Sequence, residues 1–169
     1  MHYIYCPLCS AKLGEKAAGD DGNVPYCEKC EKYWFDSFES CVIILLANEY
    51  NELAMLRQGY MSHKYWTFVS GFMKPGETAE ETAIREVSEE LGLNVEKLFY
   101  GGTYWFGEQE QLMHGFIGFT KKKDFVLSKE VDEAQWVPCE KAPGMMFPEK
   151  EGNSQQPMYR KYLEIIKRS

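Results

Sequence analysis

Between Gly71 and Leu93 the chain reads GFMKPGETAEETAIREVSEELGL, which sets six glutamates against one lysine and one arginine in 23 residues. Its periodicity predicts a helix over residues 78–91, stopped by Gly92. At about 100° per residue, Glu86, Glu89 and Glu90 fall at i, i+3 and i+4 on one face, while Ala83, Ile84, Val87 and Leu91 gather on another. Like charges at that spacing repel by about 0.2–0.5 kcal/mol per pair. A solvated face would interleave lysines, yet Arg85 is the only cation on this helix. A hard divalent cation such as Mg²⁺ resolves the conflict, because it prefers carboxylate oxygens and shares its shell with water and phosphate. Gly71 and Gly76 flank the preceding loop, where backbone can approach a ligand closely, and the helix N-terminus adds partial positive charge near any phosphate.

Around this unit the pattern is mixed. CVIILLANE and NELAMLRQ read as two strands parted by turn residues, and KYWTFVSGF as a third that runs into the Gly71 loop. LFYGGTYWF, LMHGFIGFT and EAQWVP read as further strands, and PMYRKYLEIIKRS, with apolar residues at Met158, Tyr162, Ile165 and Ile166, as a terminal helix. Strands alternating irregularly with two helices predict an α/β sandwich.

Residues 1–36 differ. Cys6 and Cys9, then Cys27 and Cys30, form two C-x2-C pairs separated by 17 residues that are rich in Gly and Asp and too polar for a core of their own. Such a module needs a staple. The chain shows no export signal, so the pairs read as a structural zinc site before they read as disulfides. Cys41 and Cys139 stand apart and read as small buried hydrophobes. His2, His63 and His114 lack ligand spacing.

The net charge of −7 argues against nonspecific polyanion binding and tolerates divalent cations. No apolar run approaches about 18 residues, so neither a membrane span nor a signal peptide is expected, and the default location is cytoplasmic.

The Gly71 to Leu93 stretch resembles the Nudix box, G-x5-E-x7-R-E-U-x-E-E-x-G-U with U a bulky aliphatic. Gly71, Glu77, Arg85, Glu86, Val87, Glu89, Glu90, Gly92 and Leu93 satisfy every fixed position. The resemblance implies a Nudix-type α/β/α sandwich with a mixed sheet over residues 37–169, preceded by a small zinc ribbon over 1–36. It further implies that Glu86, Glu89 and Glu90 hold catalytic Mg²⁺ or Mn²⁺ together with the Gly71 carbonyl, that Arg85 and Glu77 pair to brace the loop, and that a nucleoside diphosphate derivative is hydrolysed.

A ribbon ahead of the box is similar to the NADH pyrophosphatase branch. That likeness offers Phe72 as a ring stacking on a substrate base and Phe35 where the branch carries a tyrosine. It also offers Glu130, six residues before Trp136, as a further catalytic carboxylate, with Glu133 the nearest competitor. The branch's S-Q-P-W-P-F-P motif is replaced here by Thr103 to Gln109, TYWFGEQ, which keeps aromatic character in Tyr104, Trp105 and Phe106 but loses the prolines. The implied partner is a small nucleotide substrate such as NADH, ADP-ribose or a nucleotide-capped RNA end, with a homodimer suggested by the branch. The competing class is a non-catalytic module that senses a nucleotide or binds nucleic acid through the ribbon. Lys12, Lys16, Lys29 and Lys32 there are offset by Glu15, Asp20, Asp21, Glu28 and Glu31, which leaves no basic patch.

Overall fold

The computed structural model describes residues 2–168 and divides into two compact units, Met1–Phe38 and Glu39–Ser169. The first holds a three-stranded antiparallel sheet of β1 (Gly14–Ala17), β2 (Asn23–Cys27) and β3 (Lys32–Tyr33) in that order. The polar stretch between the cysteine pairs therefore forms the β1–β2 hairpin. Among the described residues its buried side chains are few, with Cys6, Val24, Tyr26 and Cys27 the hydrophobic ones.

The second unit carries β4 (Glu39–Ala47), β5 (Glu52–Arg57), β6 (Val69–Phe72), α1 (Ala79–Leu91), β7 (Lys97–Phe106), β8 (Gln111–Phe119), β9 (Glu133–Pro138) and α2 (Gln155–Arg168). Its sheet runs β7-β8-β4-β5-β9, with β6 also on β4. β4 and β8 pair in parallel, Glu39 opposite Gln111 through Ala47 opposite Phe119, and the other pairings are antiparallel. β4 is covered on both faces, which is why CVIILLA is a continuous apolar run. Strand alternation sends Val42, Ile44 and Leu46 to one cluster with Val69, Phe116, Ala83, Val87 and Leu91, against α1. Ile43, Leu45 and Ala47 go to the other, with Phe68, Ile117, Met158 and Tyr162, against α2. The result is the α/β/α sandwich with a mixed sheet.

α1 starts and stops where its caps dictate. Thr78 Oγ1 accepts from the Glu81 N–H at 3.2 Å and Glu81 Oε2 accepts from the Thr78 N–H at 2.9 Å, a reciprocal capping box. Gly92 then takes φ 67°, and its N–H reaches the Ser88 carbonyl. Burial of Val87 and Leu91 contributes about 1.5–3 kcal/mol each.

Two sequence expectations shift. KYWTFVSGF yields the four-residue β6, and ahead of it Thr67 pairs with Leu56 and Trp66 with Met146 only as isolated bridges. Ile84, placed on the apolar face, is 46% exposed. The face that α1 buries includes Thr82, Ala83, Val87, Glu90 and Leu91, so a carboxylate occupies the stripe in place of Ile84. No described helix is long and apolar enough to cross a membrane.

Candidate active site

β6 delivers Gly71 to the α1 face of the sheet, opposite Val42. A Cβ built at Gly71 would overlap the Glu86 carboxyl group, so only glycine lets this acid lie against the strand backbone. Arg85 locks the loop between them. Its Nε and Nη2 donate to the two oxygens of Glu77 at 2.7 and 2.9 Å, and Nη2 also donates to the Phe72 carbonyl at 3.0 Å. Glu77 further accepts from the Lys74 N–H and the Thr82 hydroxyl. Together the Arg85 guanidinium and these donors hold the Glu77 carboxyl down to about 2. Arg85 Nη1 donates to Glu86 at 2.6 Å and to Glu89 at 2.9 Å, so one guanidinium touches three carboxylates.

Glu90 is the extreme case. It is 3% exposed, Oε1 accepts from Gln58 Nε2 at 3.1 Å, and Oε2 has no hydrogen-bond partner. Burial, followed by repulsion from Glu86, pushes its carboxyl up to about 8. Burial also raises Glu86 despite the contact with Arg85. Glu86, Glu89, Glu90, Ser128, Lys129 and Glu130 line one open cleft of about 310 Å³. Glu130 reaches it from the segment ahead of β9, whereas Glu133 pairs with Arg57. An unsatisfied buried oxygen, a carboxylate held against backbone at Gly71 and further acids on the same cleft match the all-oxygen shell of a hard divalent cation. The donor set fits such an ion.

The aromatics divide between the two faces. Tyr104 pairs with Met113 in register and packs on the α2 cluster, and Phe72 pairs with Cys41 on the same parity of β4. Phe106 shares the Tyr104 face. Trp105 faces the α1 side, so the expected run of three rings does not make one wall, because consecutive strand residues point to opposite faces. Phe72 is 55% exposed. Phe35 lies in the first unit, tilted by 36° against Tyr33 with 6.4 Å between ring centroids.

In that first unit Cys6, Cys9, Cys27 and Cys30 converge, their sulfurs all within 4.8 Å of one another. The Cys6–Cys30 and Cys9–Cys27 sulfur separations are 3.9 and 3.6 Å. Tetrahedral thiolates at the Zn–S bond length stand about 3.8 Å apart, whereas disulfide sulfurs stand about 2.05 Å apart. The thiols are free, and their geometry suits a four-coordinate metal.

Sequence reasoning missed Gln58, which the β5 alternation of Ala54 and Leu56 already placed on the α1 face, along with Ser128 and Lys129 of the cleft. Cys41 and Cys139 are buried, as their isolation implied.

Comparison with known proteins follows the same lines. The family model described as NUDIX domain matches residues 38–162. The chain is 34% identical over 139 residues to Nudix hydrolase 19, chloroplastic, of Arabidopsis thaliana, covering 78% of this chain and 32% of that protein. It is 26% identical over 143 residues to the NAD-capped RNA hydrolase NudC of Vibrio atlanticus, covering 82% of this chain and 51% of the relative. The chain thus spans between a third and about half of the length of these curated relatives. A solved NUDIX hydrolase from Nitrosomonas europaea superposes with a TM-score of 0.75 at 21% identity, covering 99% of this chain and 94% of that one.

Proposed function

The chain belongs to the Nudix family, and from that premise we propose that it is a Mg²⁺- or Mn²⁺-dependent diphosphohydrolase acting on a nucleoside diphosphate derivative, an NADH- or NAD-like dinucleotide foremost. The observation that carries this reading is Glu90, a carboxylate buried in the cleft with one oxygen unsatisfied. A buried acid without a partner costs stability, and a cation repays it.

In this reading Glu86, Glu89, Glu90, Glu130 and the Gly71 carbonyl hold the ions. A divalent cation held there would neutralise a bridging diphosphate and make water more acidic, for a displacement in which the bond from water oxygen to phosphorus forms as the bridging P–O bond breaks and the second phosphate leaves. Arg85 and Glu77 keep loop and helix in register. Phe72 stacks on a base, with Tyr104 and Phe106 on its side of the sheet. Residues 1–36 form a structural zinc ribbon and 37–169 the hydrolase domain. Support for the dinucleotide comes from the name of the Vibrio relative, which also makes an NAD-capped RNA end a substrate of the same chemistry. The acidic charge balance favours the small molecule.

The test is release of nucleoside monophosphate from NADH, NAD⁺, ADP-ribose and a nucleoside triphosphate, with and without Mg²⁺. NADH should yield reduced nicotinamide mononucleotide and AMP. Loss of the proline motif relaxes selectivity, so ADP-ribose should follow within about tenfold, or about 1.4 kcal/mol. Glu90→Gln should lower turnover by about a hundredfold or more, the scale of removing one transition-state stabiliser, with the fold intact. Strong preference for the triphosphate would sink the dinucleotide reading, and a fully active Glu90→Gln enzyme would sink the cation assignment.

A further inference from the structure

Gln58 follows the last residue of β5 and turns its amide into the interior beneath α1, where it is 2% exposed. Each end of that amide is committed. Nε2 donates to Glu90 Oε1 at 3.1 Å, and Oε1 accepts from the Tyr60 hydroxyl at 3.1 Å. The second contact fixes the first, since the amide oxygen is held by a donor and only the NH₂ group remains for the carboxylate. Glu90 Oε2 is then left without a protein partner on the wall of the acidic cleft.

The loop that bears these residues is itself clamped. The Gln58 carbonyl accepts from the Met61 and Ser62 N–H groups, the Gly59 N–H donates to Asp132, and Arg57 pairs with Glu133 while its carbonyl accepts from the Asp132 N–H at 3.0 Å. Asp132 and Glu133 stand two and three residues after Glu130, so these contacts tie the loop after β5 to the segment that carries this cleft carboxylate.

We propose that Gln58 is the positioning residue of the cation site. It occupies one oxygen of Glu90 so that the carboxylate offers the ion a single oxygen in a fixed direction, and Tyr60 sets the orientation of the Gln58 amide. This rests on the cation-binding reading of Glu90. Neither residue belongs to the box, and both act through Glu90 without touching the ion.

Mn²⁺ titration followed by the electron paramagnetic resonance of the free ion tests this without substrate. Gln58→Leu keeps the volume and removes the donor, and should weaken Mn²⁺ binding about tenfold, as loss of an outer partner of a ligand does. Tyr60→Phe removes one hydrogen bond and should weaken it about threefold. The double variant should bind no more weakly than Gln58→Leu alone, because Tyr60 acts only through Gln58. Unchanged affinity in either single variant, or an equal Tyr60→Phe loss in both backgrounds, overturns the proposal. Tyr60 is 77% exposed, so its variant folds and decides the matter even where Gln58→Leu does not. Glu90→Gln separates the two readings: parental Mn²⁺ affinity there overturns the cation site itself, whereas weakened binding there with parental binding in Gln58→Leu overturns only the role of Gln58.

Discussion

Glu77 and Glu90, thirteen positions apart in one motif, are driven in opposite directions by their surroundings. Glu90 is pushed up by burial and then by Glu86, whereas Glu77 collects the Arg85 fork, a backbone N–H and a hydroxyl and is held down to about 2. The sign of the linkage for Glu77 follows. Its folded pKa lies below the ordinary 4.5, so the folded state binds the proton less readily than the unfolded chain. The stabilisation is complete above that ordinary value and is lost as pH falls through about 2. Glu77→Gln should therefore be less stable than the parent at pH 6, with the gap narrowing from pH 4.5 downward. Urea midpoints across that range measure it, and a gap independent of pH would show that the brace is not electrostatic.

At the scale of elements, alternation decides which side chains can cooperate. Phe72 and Tyr104 share the α2 face, while Trp105 lies across the sheet. Phe72→Ala should weaken every base-bearing substrate alike, by about 1–3 kcal/mol of stacking. Trp105→Ala should leave the specificity constant within about twofold, the scatter of a surface substitution. Kinetics on NADH and ADP-ribose compare the two, and equal losses would mean that Trp105 also contacts the substrate. The helix caps, the strand runs and the spacing of the box glutamates were legible because each is a local pattern. Ile84 falls outside the buried stripe because a helical wheel ranks residues by polarity, while the sheet buries whatever stripe faces it, here one that includes Glu90. Gln58 escaped notice for the opposite reason. Its partner is 32 residues away in sequence, and a polar residue at a strand end reads as a boundary until the facing acid is known.

Over the whole molecule the two units depend on different sources of stability. The second has two apolar layers, whereas the first buries few side chains around four convergent thiols. About one zinc per chain is expected from metal analysis of protein purified without chelator, since four thiolates complete a tetrahedral shell. Chelation should then lower the melting temperature, because a small module's binding energy is its folding energy. Four reactive thiols with no metal would contradict this. The parallel pairing of β4 with β8 has a consequence of another kind. The cluster beneath α1 is closed by Phe116 from β8 and Val131 from beyond it. The box helix therefore has its start and stop signals long before the chain that seals its flank exists. During synthesis α1 must wait with its apolar stripe open until residues well past the box have left the ribosome. A topology with such distant partners folds slowly for its size, and that interval is when the chain is most exposed to aggregation.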